Sequence, residues 1–182
     1  SGAGKSTLVD LMTGVLEPTS GSIDLGGMAP KSIILGNPGA VGFVPQSIAV
    51  LPFSIRENLN LGYSDATVPD RRYWDSLELA ELKDLVEQLP EGLETKMGER
   101  GYGFSGGQVQ RLGIAKALFT NPKIIFMDEA TNALDSETES AISQTFSKLR
   151  GKITMITVAH RLSTVVHADR IIFIENGHIT IG

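Results

Sequence analysis

The sequence predicts an α/β fold, a sheet core with a helical insertion in its middle. Three observations predict it. After Pro122, strand-sized apolar runs alternate with a helical pattern, the βαβ order of a sheet flanked by helices. The run Ile124 to Met127 is apolar throughout, as expected of a strand buried on both faces. From about Ser54 to Lys116 the character is helical instead.

The elements follow in order. Ser6 to Val15 reads as a helix, with Gly14, Pro18 and Gly21 marking its exit into a turn. Ile23 to Leu25 and Val41 to Val44 read as short strands, with Gly26-Gly27 and Gly36 to Gly39 as loops between them. Ser54-Ile-Arg-Glu57 has the form of a capping box. Asp75 to Leu89 carries Leu77, Leu79, Leu82, Leu85, Val86 and Leu89 near helical period, and Gln108 to Leu118 is a second amphipathic stretch. Ser136 to Arg150 is helical with acid in its first turn. Thr154 to Val158 and Arg170 to Glu175 read as strands, and Glu175-Asn-Gly-His178 as a hairpin turn into Ile179 to Ile181.

At 182 residues the chain suffices for one domain with a substantial core, and 41% hydrophobic with 20% charged residues is a globular balance. A net charge of −5 argues against wrapping nucleic acid through bulk charge. The absence of cysteine removes disulfides, thiol catalysis and cysteine-ligated zinc. No stretch approaches the roughly 20 apolar residues of a membrane-spanning helix. The chain opens at Ser1 without a methionine, so truncation at both ends is expected, and a membrane role has to come from a partner or a further part of the protein.

The chemistry begins at the first residue. Ser1, Gly2, Ala3, Gly4, Lys5, Ser6 and Thr7 form the back end of the G-x-x-x-x-G-K-[ST] pattern. Gly2 and Gly4 let successive N–H groups point into one anion nest, and the following helix adds the positive end of its dipole. Lys5 can reach the β- and γ-phosphates, and the Ser6 hydroxyl can ligate Mg²⁺. Taken alone, the motif could be a Gly-rich helix entry with no ligand. Asp128 and Glu129 follow the buried strand at its C-terminal end, where open α/β sheets bind ligands. Asp128 is placed to hold Mg²⁺ through its water shell, and Glu129 to orient or deprotonate an attacking water. The plainer reading has both acids capping the next turn and facing solvent. A second anion cradle is offered by Ser105, Gly106, Gly107 and Gln108, a hydroxyl and N–H groups at a helix start.

Phe104-Ser-Gly-Gly-Gln108 followed by Val-Gln-Arg111 resembles the signature motif of ABC ATPases, usually Leu-Ser-Gly-Gly-Gln. The resemblance covers essentially the whole chain. It implies a P-loop NTPase sheet core, residues 1–53 and 117–182, with the ABC-type helical subdomain inserted over 54–116. It implies ATP and Mg²⁺ as cofactors and two copies sharing two nucleotides, each lending its signature to the other's ATP. Gln46, in Val-Pro-Gln, resembles the Q-loop glutamine that reaches the Mg²⁺ and water. Asp135, in Ala133-Leu-Asp135, resembles the D-loop residue that communicates between the two sites. His160 resembles the switch histidine on the γ-phosphate, and Glu99 the short loop that precedes the signature in exporters. The aromatic residue that stacks on adenine lies, in this family, upstream of the phosphate loop. Tyr63, Tyr73 and Trp74 are therefore read as packing residues, and His167 and His178 as surface residues.

Phe53 to Asn58, Leu89 to Thr95, Gly98 to Gly101 and Ala159 to Ser163 resemble the exporter branch, with its multidrug, lipid and lipid-linked-oligosaccharide flippases. This implies a motor on the cytoplasmic face of the inner membrane. Its partners are a second ABC ATPase domain, in a homo- or heterodimer, and a transmembrane domain in the same full-length chain. No nucleic acid is implied. The alternative is a soluble non-transport ABC ATPase, although the compact spacing from Lys5 to Ser105 leaves no place for a coiled-coil insertion. Four positions depart from the usual pattern: Phe104 for Leu, Val109 and Lys116 for Arg, and Asn132 for Ser. Lys116 keeps the charge but loses the planar fork of Arg, which would weaken an interdomain contact.

Overall fold

A computed structural model describes residues 3–61, 63, 68–98, 103–130, 134–159, 168–175 and 177–181. Its first elements are α1 (Lys5–Met12), α2 (Pro30–Gly36) and β1 (Val41–Val44). A helical run follows: α3 (Ile55–Leu59), α4 (Asp70–Leu79), α5 (Lys83–Glu87), a 3₁₀ turn at Gly92–Glu94 and α6 (Gly106–Phe119). The chain then alternates through β2 (Ile124–Asp128), α7 (Ser136–Leu149) and β3 (Thr154–Val158), and ends in β4 (Ile172–Glu175) and β5 (His178–Ile181).

The main sheet is parallel in the order β1-β2-β3. β2 is its middle strand, and Ile125, Phe126 and Met127 are all buried, as the unbroken apolar run requires. The helices α3 to α6 all lie between β1 and β2 in the chain, yet the two strands are hydrogen-bonded neighbours, so the helices are an insertion into a continuous sheet. Val44, Ile125 and Met127 share one core with Leu112, Ile114 and Phe119 of α6 and with Tyr73 and Leu77 of α4. Tyr73 is fully buried, its ring 4.9 Å from that of Phe119 and its hydroxyl accepting from Asn60 Nδ2 at 3.1 Å. Trp74 packs on the rim of this core, and the Tyr63 ring meets Phe119 edge-on. These are packing roles.

Residues 30–36, to which the sequence reading assigns no element, are helix: Pro30 occupies the first turn, where its missing N–H costs nothing. Two local expectations need correction. The expected strand at Ile23 to Leu25 closes only one bridge, Leu25 to Met28, around a turn in which Gly27 N–H bonds Asp24 Oδ1 at 2.7 Å. The leucine-rich stretch 75–89 is two helices, because Glu81 takes a left-handed φ of 55° and redirects the chain. The helix expected from Ser136 forms as α7, with Asp135 as its cap. The β4–β5 hairpin forms as expected, antiparallel with Glu175 opposite His178, and His178 is exposed.

Candidate functional site

In a parallel sheet every strand ends on the same edge, and that edge is where this chain gathers its polar residues. Val44 pairs with Met127, and Asp128 pairs with Val158. The register therefore brings Gln46, just past β1, alongside the acids that end β2. Gln46 Nε2 donates to Glu129 Oε2 at 3.1 Å. Glu129 is not a further strand residue pointing opposite Asp128. Its φ of 51° takes it out of the strand, and its N–H donates to Val158 O at 3.1 Å. The left-handed region costs a non-glycine residue about 1–2 kcal/mol, so the surrounding structure holds this carboxylate at a backbone angle that it would not choose. His160, two residues after Val158 in the sequence, lies outside the described residues.

The phosphate-loop residues sit at the start of α1. Gly4 is its N-cap with φ 94° and ψ 9°, a conformation that only glycine adopts without strain. No side chain caps this helix and no acid stands in its first turn, so the N–H groups of Lys5, Ser6 and Thr7 have no acceptor within the helix. Ser6 and Thr7 are exposed and Lys5 is half-buried. The site that an anion would need is thus present in the backbone, and among the described residues no side chain caps it. Ala3 precedes it; Ser1 and Gly2 lie outside the described residues.

The second cradle starts α6. Ser105 Oγ accepts from Gln108 N–H at 3.3 Å, and Ser105 N–H donates to Gln108 Oε1 at 2.8 Å, a closed capping box. In that bond the hydroxyl uses a lone pair, so its proton is left to point at an anion. Asp135 Oδ1 accepts from Thr138 N–H at 2.9 Å and Oδ2 from Thr138 Oγ1 at 2.8 Å. The backbone bond first, then the hydroxyl, hold its carboxyl below the usual Asp value. Glu99, Asn132, Ala133, His160 and His167 lie outside the described residues.

Among the described residues no three His, Cys, Asp or Glu side chains converge on a metal position. The donors predicted for Mg²⁺, Ser6, Gln46 and Asp128, are all oxygen ligands and too few for a closed protein cage. That suits a cation which keeps waters and phosphate oxygens in its shell.

Sequence reading assigns no role to Asn58, although it is fully buried. Its Nδ2 lies within bonding reach of the carbonyls of Leu51, Phe53 and Ser54 at 3.0, 3.3 and 3.0 Å, and its Oδ1 accepts from Leu51 N–H at 3.0 Å. The one signal for it in the sequence is position. An amide four residues after the Ser54 cap falls on the same face as the buried Ile55 and Leu59.

The profile of the ABC transporter family matches residues 1–132 of the chain. A multidrug resistance ABC transporter ATP-binding and permease protein of Lactococcus lactis subsp. cremoris (strain MG1363) is 46% identical over 181 residues, 99% of this chain and 30% of that protein. A putative multidrug export ATP-binding/permease protein of Staphylococcus aureus (strain NCTC 8325 / PS 47) is 43% identical, over 98% of this chain and 31% of its own length. Among solved structures, a bacterial Atm1-family ABC exporter with ATP bound superposes with a TM-score of 0.83 at 35% identity, covering 97% of this chain and 31% of that one. The chain spans under a third of the length of these proteins.

Proposed function

This chain belongs to the ABC transporter family, and we propose that it is the ATP-hydrolysing motor of an exporter or flippase. The observation that carries this reading is the Gln46–Glu129 hydrogen bond on the C-terminal edge of the parallel sheet. It joins a neutral amide to a carboxylate where a water could be held between a base and a phosphate. Residues 1–53 and 117–182 are the nucleotide core and 54–116 the helical signature subdomain.

In this reading the N–H groups after Gly4 cradle the phosphates, with Ser1, Gly2 and Ala3 completing the loop, and Lys5 reaches the β- and γ-phosphates. Ser6, Gln46 and Asp128 would hold Mg²⁺, which would neutralise charge building on the phosphate oxygens. Glu129 takes a proton from the water as it attacks the γ-phosphorus, and the bond to the β–γ bridging oxygen breaks, leaving ADP and phosphate. His160 contacts the γ-phosphate. Ser105, Gly106, Gly107 and Gln108 face the nucleotide of a second ATPase domain, and Asp135 lies between the two sites.

The names of the relatives include a permease. By analogy, closure of two such domains on the cytoplasmic face of the inner membrane drives a transmembrane domain of the same full-length protein. The test is steady-state Mg-ATP hydrolysis by the full-length protein in lipid, beside its Glu129→Gln variant. Turnover lost with nucleotide still bound supports the reading. Near-normal turnover in the variant, or none in the parent, overturns it.

A further inference from the structure

The segment between β1 and α3, residues 45–54, carries Gln46 and has no helix or extended ladder of its own. Its backbone polar groups need partners from elsewhere. Two side chains supply several of them. Asn58 takes the amide of Leu51 and spans the carbonyls of Leu51, Phe53 and Ser54. Lys116, from the last turns of α6, donates to Ala49 O at 3.0 Å and to Asn58 Oδ1 at 3.1 Å. Burial lowers the Lys116 pKa, with no opposing charge to raise it. Such a lysine contributes by hydrogen bonds to neutral oxygens rather than by an ion pair.

A third contact fixes the same segment to the same helix. A Cβ built on Gly113 would overlap Ile48 Cδ1 and stand 2.6 Å from Ile48 Cγ1. Ile48 therefore sits in a notch that exists only because residue 113 has no side chain. Gly113 and Lys116 are i and i+3 on α6, so both lie on one face. The residues just after Gln46 are held on that face at two points, by packing and by hydrogen bonds. At its other end the same helix begins with the Ser105 cradle.

From this we infer that Lys116 is a positioning residue for Gln46, and that the Gly113–Lys116 face of α6 mechanically joins the Gln46 segment to the Ser105 cradle. The inference rests on the proposed roles of Gln46 and Ser105 in handling nucleotide. It makes position 116, read from sequence as the site of an interdomain contact, an internal one. A planar Arg fork could serve both oxygens equally well.

The test uses the full-length protein in lipid. Lys116→Met keeps the aliphatic stem and removes the donor. Misplacing a water-orienting group should lower kcat about ten-fold while the KM for ATP stays within about two-fold. Lys116→Arg should restore kcat to within about three-fold of the parent. Gly113→Ala, which leaves the charge intact, should lower kcat in the same way by expelling Ile48, and adding Ile48→Ala should recover part of the loss. A parent that hydrolyses ATP and loses turnover on Glu129→Gln, yet is indifferent to Lys116→Met and Gly113→Ala, overturns this inference and leaves the functional reading standing. A Lys116→Met defect that Arg does not rescue, or one expressed in KM alone, also overturns it. A parent without hydrolysis overturns the functional reading itself.

Discussion

Gln46 and Glu129 lie 83 residues apart in the chain and meet at 3.1 Å, amide nitrogen to carboxylate oxygen. An entire helical region is threaded between them, so the contact exists only because β1 and β2 are parallel neighbours in a fixed register. Replacing Glu129 by Gln preserves shape and hydrogen-bonding capacity while removing the basic oxygen. ATP turnover should fall by about 100-fold or more, the scale of a lost general base. Retention of a fluorescent ATP analogue at parental affinity would show that the loss lies in the chemical step.

The start of α1 makes a different prediction. Gly4 stands at φ 94°, so Gly4→Ala puts a side chain where L-residues are strained, costing about 1–2 kcal/mol. Among the described residues nothing crowds the position, so the penalty considered is that of the backbone. The N–H nest should open and ATP affinity should fall. Lys5→Ala should weaken binding by about 10- to 100-fold through loss of a charged donor. Equilibrium titration with a fluorescent nucleotide checks both.

Asn58 is the most heavily used buried amide in the helical region. Asn58→Ala would strand the Leu51 N–H and remove the shared donor from three carbonyls, and should destabilise by about 3 kcal/mol. Asn58→Asp keeps the acceptor for Leu51 N–H and Lys116 but turns a carboxylate without a proton to give on those carbonyls, and should destabilise as well. Denaturant unfolding of the two variants beside the parent measures this.

Asp135 gives a pH-dependent prediction. Its hydrogen bonds to Thr138 lower its pKa in the folded state below the ordinary 3.8. Its contribution is therefore fully present above that ordinary value and is lost as pH falls through the lowered folded value. Asp135→Ala should melt below the parent at pH 7, and the gap should shrink as the parent's carboxylate protonates. Asp135→Asn, which can still cap, should keep most of the melting temperature and lose this part of the pH dependence. Thermal melts across pH 2.5–7, about one unit below to three above the ordinary carboxylate range, decide it.

The legible parts of the fold were those where one physical signal dominates. β1, β2 and β3 announce themselves as short apolar runs, and Ser54 and Ser105 cap helices because hydroxyl and partner stand three residues apart. Where two signals compete, sequence misleads. The leucines from 77 to 89 keep helical period across Glu81, whose left-handed turn no residue type demands. The site shows the same division. Lys5, Asp128, Glu129 and Ser105 stand out by chemical type, while the Gln46–Glu129 contact depends on strand register. The roles of Asn58, Gly113 and Ile48 depend on packing between segments far apart in the chain, which no local pattern encodes.

Arg56 has one further consequence. Its guanidinium bridges Asp70 at the start of α4 and Glu94 in the 3₁₀ turn, and lies 4.6 Å from the centre of the Tyr73 ring. One side chain thus braces three successive pieces of the helical region against the aromatic pair beneath them. The three pieces share one anchor, so Arg56→Met would loosen all of them together.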